Sequence, residues 1–135
     1  MMERIEISTS RKTCLVDITR DVERVVKGGG VEKGICFVFV PHTTAAIIIN
    51  ENADPSVGED ILMEINKIVP FSNNYSHLEG NAAAHIKSSI IGQSATLFIE
   101  NGRLVLGRWQ GIYFCEFDGP RRRGVWVKVI EDLRK

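Results

Sequence analysis

A chain of 135 residues, 44% of them apolar, is one domain on length priors and can bury roughly two thirds of its unfolded surface without a disulfide or structural metal. Its 17 basic residues balance 17 acidic ones, which argues against nucleic acid or anionic membrane as a main partner and leaves the chain poorly protected against self-association. No apolar run approaches the roughly 18 residues of a membrane span, and MMERIEIS lacks the apolar core of a secretory signal. The three cysteines, Cys14, Cys36 and Cys115, show no CxxC spacing and fall in apolar runs, as expected of reduced, buried thiols in a cytoplasmic protein.

In chain order, ERIEIST (3–9) alternates and reads as a strand, and TCLVDI (13–18) as a second. Thr19 is placed to cap a short helix over 20–28, with Val22, Val25 and Val26 on one side and Gly28-Gly29-Gly30 as its stop. GICFVFV (34–40) and AAIIIN (45–50) are apolar at successive positions, the pattern of strands covered on both faces. Asp54-Pro55 starts a second helix, apolar at Val57, Ile61, Ile65 and Ile68, that ends before Pro70. A polar loop follows, and then a third helix from about Asn81 to Ile90 with Gly92 as its stop. SATLFIE and RLVLG flank Asn101-Gly102, the pair that a type I′ hairpin turn favours because both positions need φ > 0. GIYFCEF (111–117) and GVWVKVI (124–130) are joined across DGPRRR. The expectation is one α+β domain over 1–135, built on an antiparallel sheet or two packed sheets with two to three helices.

The three histidines are His42, between two apolar strands, His77 in the polar loop, and His85 on the third helix. A catalytic transition-metal site needs about three such ligands and one open position, but HExxH and HxE…CxxC spacings are absent, so the spacing alone favours scattered histidines over a metal site. Free N–H groups at the helix start near Asn81, beside small Ala82, Ala83 and Ala84, suit an anion; tight packing of those alanines is the alternative. On a strand Glu116 shares a side with Ile112 and Phe114, and Asp118 follows. A carboxylate in an apolar row suits a general acid or base, or an ion pair with a neighbouring arginine. Arg121, Arg122 and Arg123 offer phosphate-binding forks or a solvated loop. Trp109-Gln110 suits stacking and hydrogen bonding to a heteroaromatic ring, or closure of the core.

PHTTAAIIINENADPSV, HLEGNAAAHIKSSIIG and GRLVLGRWQGIYFCEFDGPRRRGVWV together resemble the YjbQ-like family, described as secondary thiamine-phosphate synthases, over about residues 5–130. The resemblance implies a compact α+β domain containing a β-sandwich, assembled as a homotrimer, with a divalent metal, zinc first, near the motif histidines. By position, His42, His77 and His85 would be its ligands. Thr43, Thr44, Asn50, Asn81, Trp109, Gln110, Glu116, Asp118 and Arg121 would line or support the pocket. Chemistry then suggests that Glu116, with Asp118 and Gln110, serves the reaction, and that Arg121 and the helix start hold phosphate. Magnesium is the alternative metal for a pyrophosphate substrate. The implied function is a metal-dependent enzyme on a small phosphorylated substrate. Its synthase activity is expected to be secondary, because the dedicated enzyme is a TIM barrel of roughly 200 residues or more. A metal-dependent hydrolase, a non-catalytic metal or metabolite module and a structural trimer are the competing readings.

Overall fold

A computed structural model describes residues 1–133. Among the described residues, eight strands form two antiparallel sheets. The larger has the order β1-β8-β3-β5-β6 and the smaller β2-β7-β4, where β1 is Met2–Ser8, β2 Cys14–Asp17, β3 Gly34–Phe39, β4 Ala45–Glu51, β5 Ser94–Glu100, β6 Arg103–Leu104, β7 Gln110–Glu116 and β8 Arg122–Glu131. The helices are α1 (Thr19–Gly29), α2 (Pro55–Ile68) and α3 (Ala82–Ile91). The sheets curl into a half-barrel, where a β-sandwich was expected. Val38, Leu97, Val125 and Val127 of one sheet meet Ile47, Ile112 and Phe114 of the other, and Val22, Val25 and Val26 of α1 complete this core. A second cluster, Ala46, Ala84, Cys115 and Phe117, fixes α3 on the other face of the small sheet. Cys36 and Cys115 are buried and Cys14 half-buried; burial pushes the first two thiols up to about 11 and about 12.

Local signals set the elements. Asp54 accepts from Ser56 N at 3.0 Å and Pro55 opens α2. Asn101 and Gly102, at φ 52° and 72°, turn β5 into β6. Thr19 is not a cap but the first residue of α1. Ile18 still donates to Ile112 O in the manner of a strand, and the Asp17 carboxylate takes the Thr19 N–H at 3.0 Å, so Thr19 Oγ1 instead accepts the Ile112 N–H. The second arm of the hairpin stops at Leu104, because Gly107 to Gln110 close a turn of their own, Gln110 N–H donating to Gly107 O.

Coverage of the two apolar strands differs from the expectation. The central β3 packs Cys36 and Val38 inward, while Phe37 and Phe39 stand exposed on the outer face. β4 is an edge strand whose Ala45–Ile47 segment is buried beneath α3 and the core. β7 and β8, although consecutive, lie in different sheets, so the segment between them crosses from one sheet to the other and carries the candidate site.

Candidate functional site at one end of the small sheet

At the end of β7, Glu116 is fully buried. Arg123 Nε donates to its Oε1 at 2.9 Å, and Arg123 Nη2 lies against Oε2. The Thr9 hydroxyl donates to Oε1 at 2.7 Å and the Asp118 N–H to Oε2 at 3.0 Å. Arg123 Nη2 also donates to Thr44 Oγ1 at 2.9 Å, and Thr9 Oγ1 accepts the Arg121 N–H at 2.9 Å. Burial alone would raise the Glu116 carboxyl, but Arg123, Thr9 and the Asp118 N–H outweigh it and hold the group below its ordinary range. The network joins the ends of β1 and β7 to the starts of β4 and β8. Every one of its polar contacts occupies a lone pair that a base would need, so Glu116 is placed to hold the frame.

His42 stands on that frame. Its Nε2 lies 3.0 Å from Gly124 N and 3.1 Å from Gly124 O, so the tautomer selects which of the two it bonds. Burial, with the Arg123 charge beside it, lowers the His42 pKa and favours the neutral imidazole. His42, Thr43 and Phe39 face His85, Ser88 and Gln93 across a shallow groove of about 480 Å³. On its other side His85 meets His77, ring centroids 5.3 Å apart and near perpendicular, in a second shallow concavity of about 380 Å³ with Tyr75 and Ala82. Asn81, at the N-cap of α3, gives its side-chain amide to Asp118 Oδ2 at 2.9 Å, while its Oδ1 is buried without a partner. Arg121 bonds the same carboxylate oxygen at 2.9 Å and keeps much of its guanidinium exposed. Burial raises the Asp118 carboxyl, and Asn81 and Arg121 more than reverse that shift.

The expected residues therefore divide. His77, Asn81, His85, Asp118 and Arg121 gather around the head of α3, His42 and Thr43 face its flank from His85 to Ser89, and Glu116 and buried Thr44 stand behind as support. Asn50, Trp109 and Gln110 lie at the far end of the same sheet, where Gln110 pairs with Glu51 and Asn50 with Gly111. Gln110 and Glu116, the two ends of β7, are six residue steps apart, about 20 Å at the usual strand rise. There Gln110 Oε1 accepts the Gly107 N–H and Trp109 is exposed. Among the described residues, no three of His, Cys, Asp and Glu are grouped to hold a metal. His77 and His85 supply two donors within one chain, short of a catalytic set of about three. A larger concavity, about 610 Å³ between the end of α1 and the β5–β6 turn, holds none of these residues.

The sequence reading raised an ion pair between Glu116 and an arginine of RRR without singling out Arg123, and it missed Lys87. Arg123 shares its strand side with Val125, Val127 and Val129, a period-two signal that marks the third arginine of RRR as the inward one. Lys87 is fully buried on the face of α3 that carries Ala83, Ala84 and Ser88. Its Nζ donates to Asn66 Oδ1 at 2.7 Å and lies 3.6 Å from the Phe71 ring centroid.

Fold and site together define a small α+β half-barrel protein whose imidazoles converge on a helix head at one sheet end. The sequence matches the family model described as UPF0047 protein YjbQ-like over residues 3–132, and the chain belongs to that family. It is 47% identical to the UPF0047 protein YugU of Bacillus subtilis over 96% of this chain and 99% of that protein. A UPF0047 protein of Methanocaldococcus jannaschii is 50% identical over 98% and 96%. The fold is similar to the crystal structure of a YjbQ/UPF0047 family protein from Clostridium acetobutylicum, with TM-score 0.93 and 52% identity over 95% of this chain and 99% of that one. It is also similar to a YbjQ-like protein of unknown function from Sulfolobus solfataricus, with TM-score 0.94 and 38% identity over 98% and 97%. Among the described residues no helix is long and apolar enough to cross a membrane.

Proposed function

We propose that the head of α3 is the binding site of a small phosphorylated metabolite, served by a divalent metal, zinc first, in an enzyme that acts as a homotrimer. The observation that carries this reading is the convergence of separated segments there: His77 against His85, Asn81 on Asp118, Arg121 on the same carboxylate, and His42 across one groove from His85. Asn81 O takes the Ala84 and His85 N–H groups, so the start of α3 offers a phosphate the N–H groups of Ala82 and Ala83 beside the exposed Arg121 fork. The His77–His85 pair offers two donors to a metal, with His42 across the groove as a further imidazole, and a metal when bound would supply charge neutralisation for a leaving phosphate or pyrophosphate. Thiamine-phosphate synthesis falls in that class and is retained as an activity to assay. With Glu116 committed to Arg123, Asp118 and the exposed Glu79, 3.9 Å from His77 Nε2, are carboxylates left near the site, and the pairing of Asp118 with Arg121 favours binding over proton transfer for that residue. That observation supports the second reading, a module that captures the metabolite without turning it over.

The test is metal content of purified, untagged protein by mass spectrometry, beside His85→Ala, with calorimetric titration of pyrophosphate into both and into Arg121→Ala. About one zinc per chain, lost in His85→Ala with the fold intact, together with pyrophosphate binding that weakens in Arg121→Ala, is expected. Protein that takes up no zinc even when it is supplied would sink the metal reading. Pyrophosphate binding indifferent to Arg121 would sink the phosphate reading.

A further inference from the structure

Lys87 is a charge without a counter-charge. Its side chain is fully buried on α3, and among the described residues it enters no ion pair. Its Nζ donates to Asn66 Oδ1 at 2.7 Å, and the Asn66 amide in turn donates to Thr13 Oγ1 at 3.3 Å. The ammonium is thereby held at one point by α2 and by the residue that precedes β2. A buried ammonium with a neutral acceptor is a cost to the fold, and a methionine of similar volume would fill the space without it. Buried charges kept at such a cost are best attested where they fix one arrangement over others.

What the ammonium faces is Phe71. Lys87 Nζ lies 3.6 Å from the ring centroid, and Lys12 Nζ lies 4.1 Å from the same centroid. Both are inside the roughly 6 Å over which a ring face attracts a cation, and the attraction is strongest for a desolvated cation such as Lys87. Phe71 is half-buried and belongs to the segment 69–81, which joins α2 to α3 without helix or strand. In that segment the Tyr75 hydroxyl donates back to Pro70 O, so residues 70–75 close on themselves beside the anchored ring. Tyr75 then shares a concavity with His77 and His85, and the two imidazoles meet edge to face. Past His77 the chain turns outward, Leu78 being 98% exposed.

We infer that Lys87 and Lys12 are positioning residues, whose grip on Phe71 fixes the 69–81 segment and thereby presents His77 to His85. The grip gives a reason for a charge that the core would be more stable without. Removing it should move two properties in opposite directions: the fold gains stability, and the segment that carries His77 loses order. A lysine that only filled space could not do this, because a better-packed replacement would leave the segment as ordered as before. That His77 serves a site rests on the function proposed above; the hold on the segment does not.

The experiment compares wild-type protein with Lys87→Met, Phe71→Leu and Phe71→Tyr at pH 7, as purified and again after dialysis against a chelator, so that no bound metal holds the two rings together. Order is read from relaxation of the backbone amides, the ring contact from the nuclear Overhauser effect between His77 and His85, and stability from urea denaturation. In wild type and in Phe71→Tyr, which keeps the ring face, the amides of residues 71–79 should have order parameters of about 0.85, with the His77–His85 effect present. In Lys87→Met and Phe71→Leu the same amides should fall below about 0.6 and the effect should be lost, with α3 and the sheets unchanged, while the urea midpoint of Lys87→Met rises. Phe71→Leu, at a half-buried position outside the core, tests the same hold should Lys87→Met not fold. A segment already mobile in wild type, one that stays rigid in Lys87→Met and Phe71→Leu, or a Phe71→Tyr protein that loosens as Phe71→Leu does, overturns the hold. A loosened segment that keeps the His77–His85 contact overturns the positioning of His77. These outcomes are read on the chelated protein, so a failure of the metal reading appears in zinc uptake alone and leaves them standing.

Discussion

Replacing Lys87 by Met should stabilise the protein at neutral pH, and the gain should vanish in alkali. Lys87 is fully buried with no carboxylate partner, held by Asn66 Oδ1 and the face of Phe71. Burial, with the Lys12 charge nearby, lowers its pKa from 10.5 to about 8. At roughly 1.4 kcal/mol per pH unit, that difference is a cost of about 3 kcal/mol for keeping the ammonium in the folded state. The folded value lies below the unfolded one, so between about 8 and 10.5 the unfolded chain holds a proton that the folded chain has released. The cost is therefore complete below pH 8, shrinks as pH rises and is gone above 10.5. Met keeps the volume but leaves Asn66 one donor short, a loss of about 1 kcal/mol. The net expectation is a gain of about 2 kcal/mol at pH 7 that falls to about zero by pH 10, where roughly 1 kcal/mol of the cost remains and offsets the lost hydrogen bond. Urea denaturation of both proteins at matched concentration, in reductant, from pH 7 to 10 measures it. The difference between the two proteins is the quantity to use, because Cys36, Cys115 and Tyr113, all raised on folding, pull the absolute stability down over the same range. A difference independent of pH, or a Met variant less stable than wild type at pH 7, would refute the reasoning.

Arg123→Met should cost about 3–5 kcal/mol, because it leaves the Glu116 carboxylate buried beside two weaker donors; Glu116→Leu added to it should recover part of that loss, and a urea midpoint barely moved by Arg123→Met would contradict the frame. Asp118 titrates below its ordinary 3.8 in the folded state, so it contributes stability above that value that is lost as pH falls through the folded one. The gap between wild type and Asp118→Asn should close in the same window in acid denaturation. Gly28→Ala, in α1 with nothing within 4 Å of the added methyl, should raise stability by about 0.5–1 kcal/mol. Gly34→Ala puts its methyl 2.0 Å from the Ile130 carbonyl and should cost more than about 1 kcal/mol by parting β3 from β8; thermal melts of the pair should move in opposite directions.

What the sequence made legible is what short stretches decide. Asp54-Pro55 and Asn101-Gly102 specify a helix start and a hairpin turn by chemistry within a few residues, and both stand where the residues put them. Strand partners are chosen by packing between distant segments, which no local period reports. Among the described residues, β5–β6 is the one pair of sequence neighbours that hydrogen-bond. The same division runs through the site. Period-two alternation places Glu116 inward, and an ion pair was one of its two readings, but which arginine reaches it depends on the crossing between sheets. The distance between Trp109 and His42 depends on where β7 begins relative to β4, again invisible until the strands are paired.

The strand order also governs when the molecule can be completed. β3, at the centre of the large sheet, takes β8 along one edge and β5 along the other, and β1 is held by β8 alone. During synthesis the first strand therefore waits for the last, and β3 waits with both edges and the Phe37–Phe39 face open until distant segments arrive. Long closures of this kind must be made before their contacts reward them, so refolding is expected on the millisecond-to-second scale of sheet proteins with non-local pairing. Through that interval β3 is the segment most exposed to capture by another nascent chain, and a variant that slows the arrival of β8 should show its defect first as aggregation during expression rather than as a lowered melting temperature.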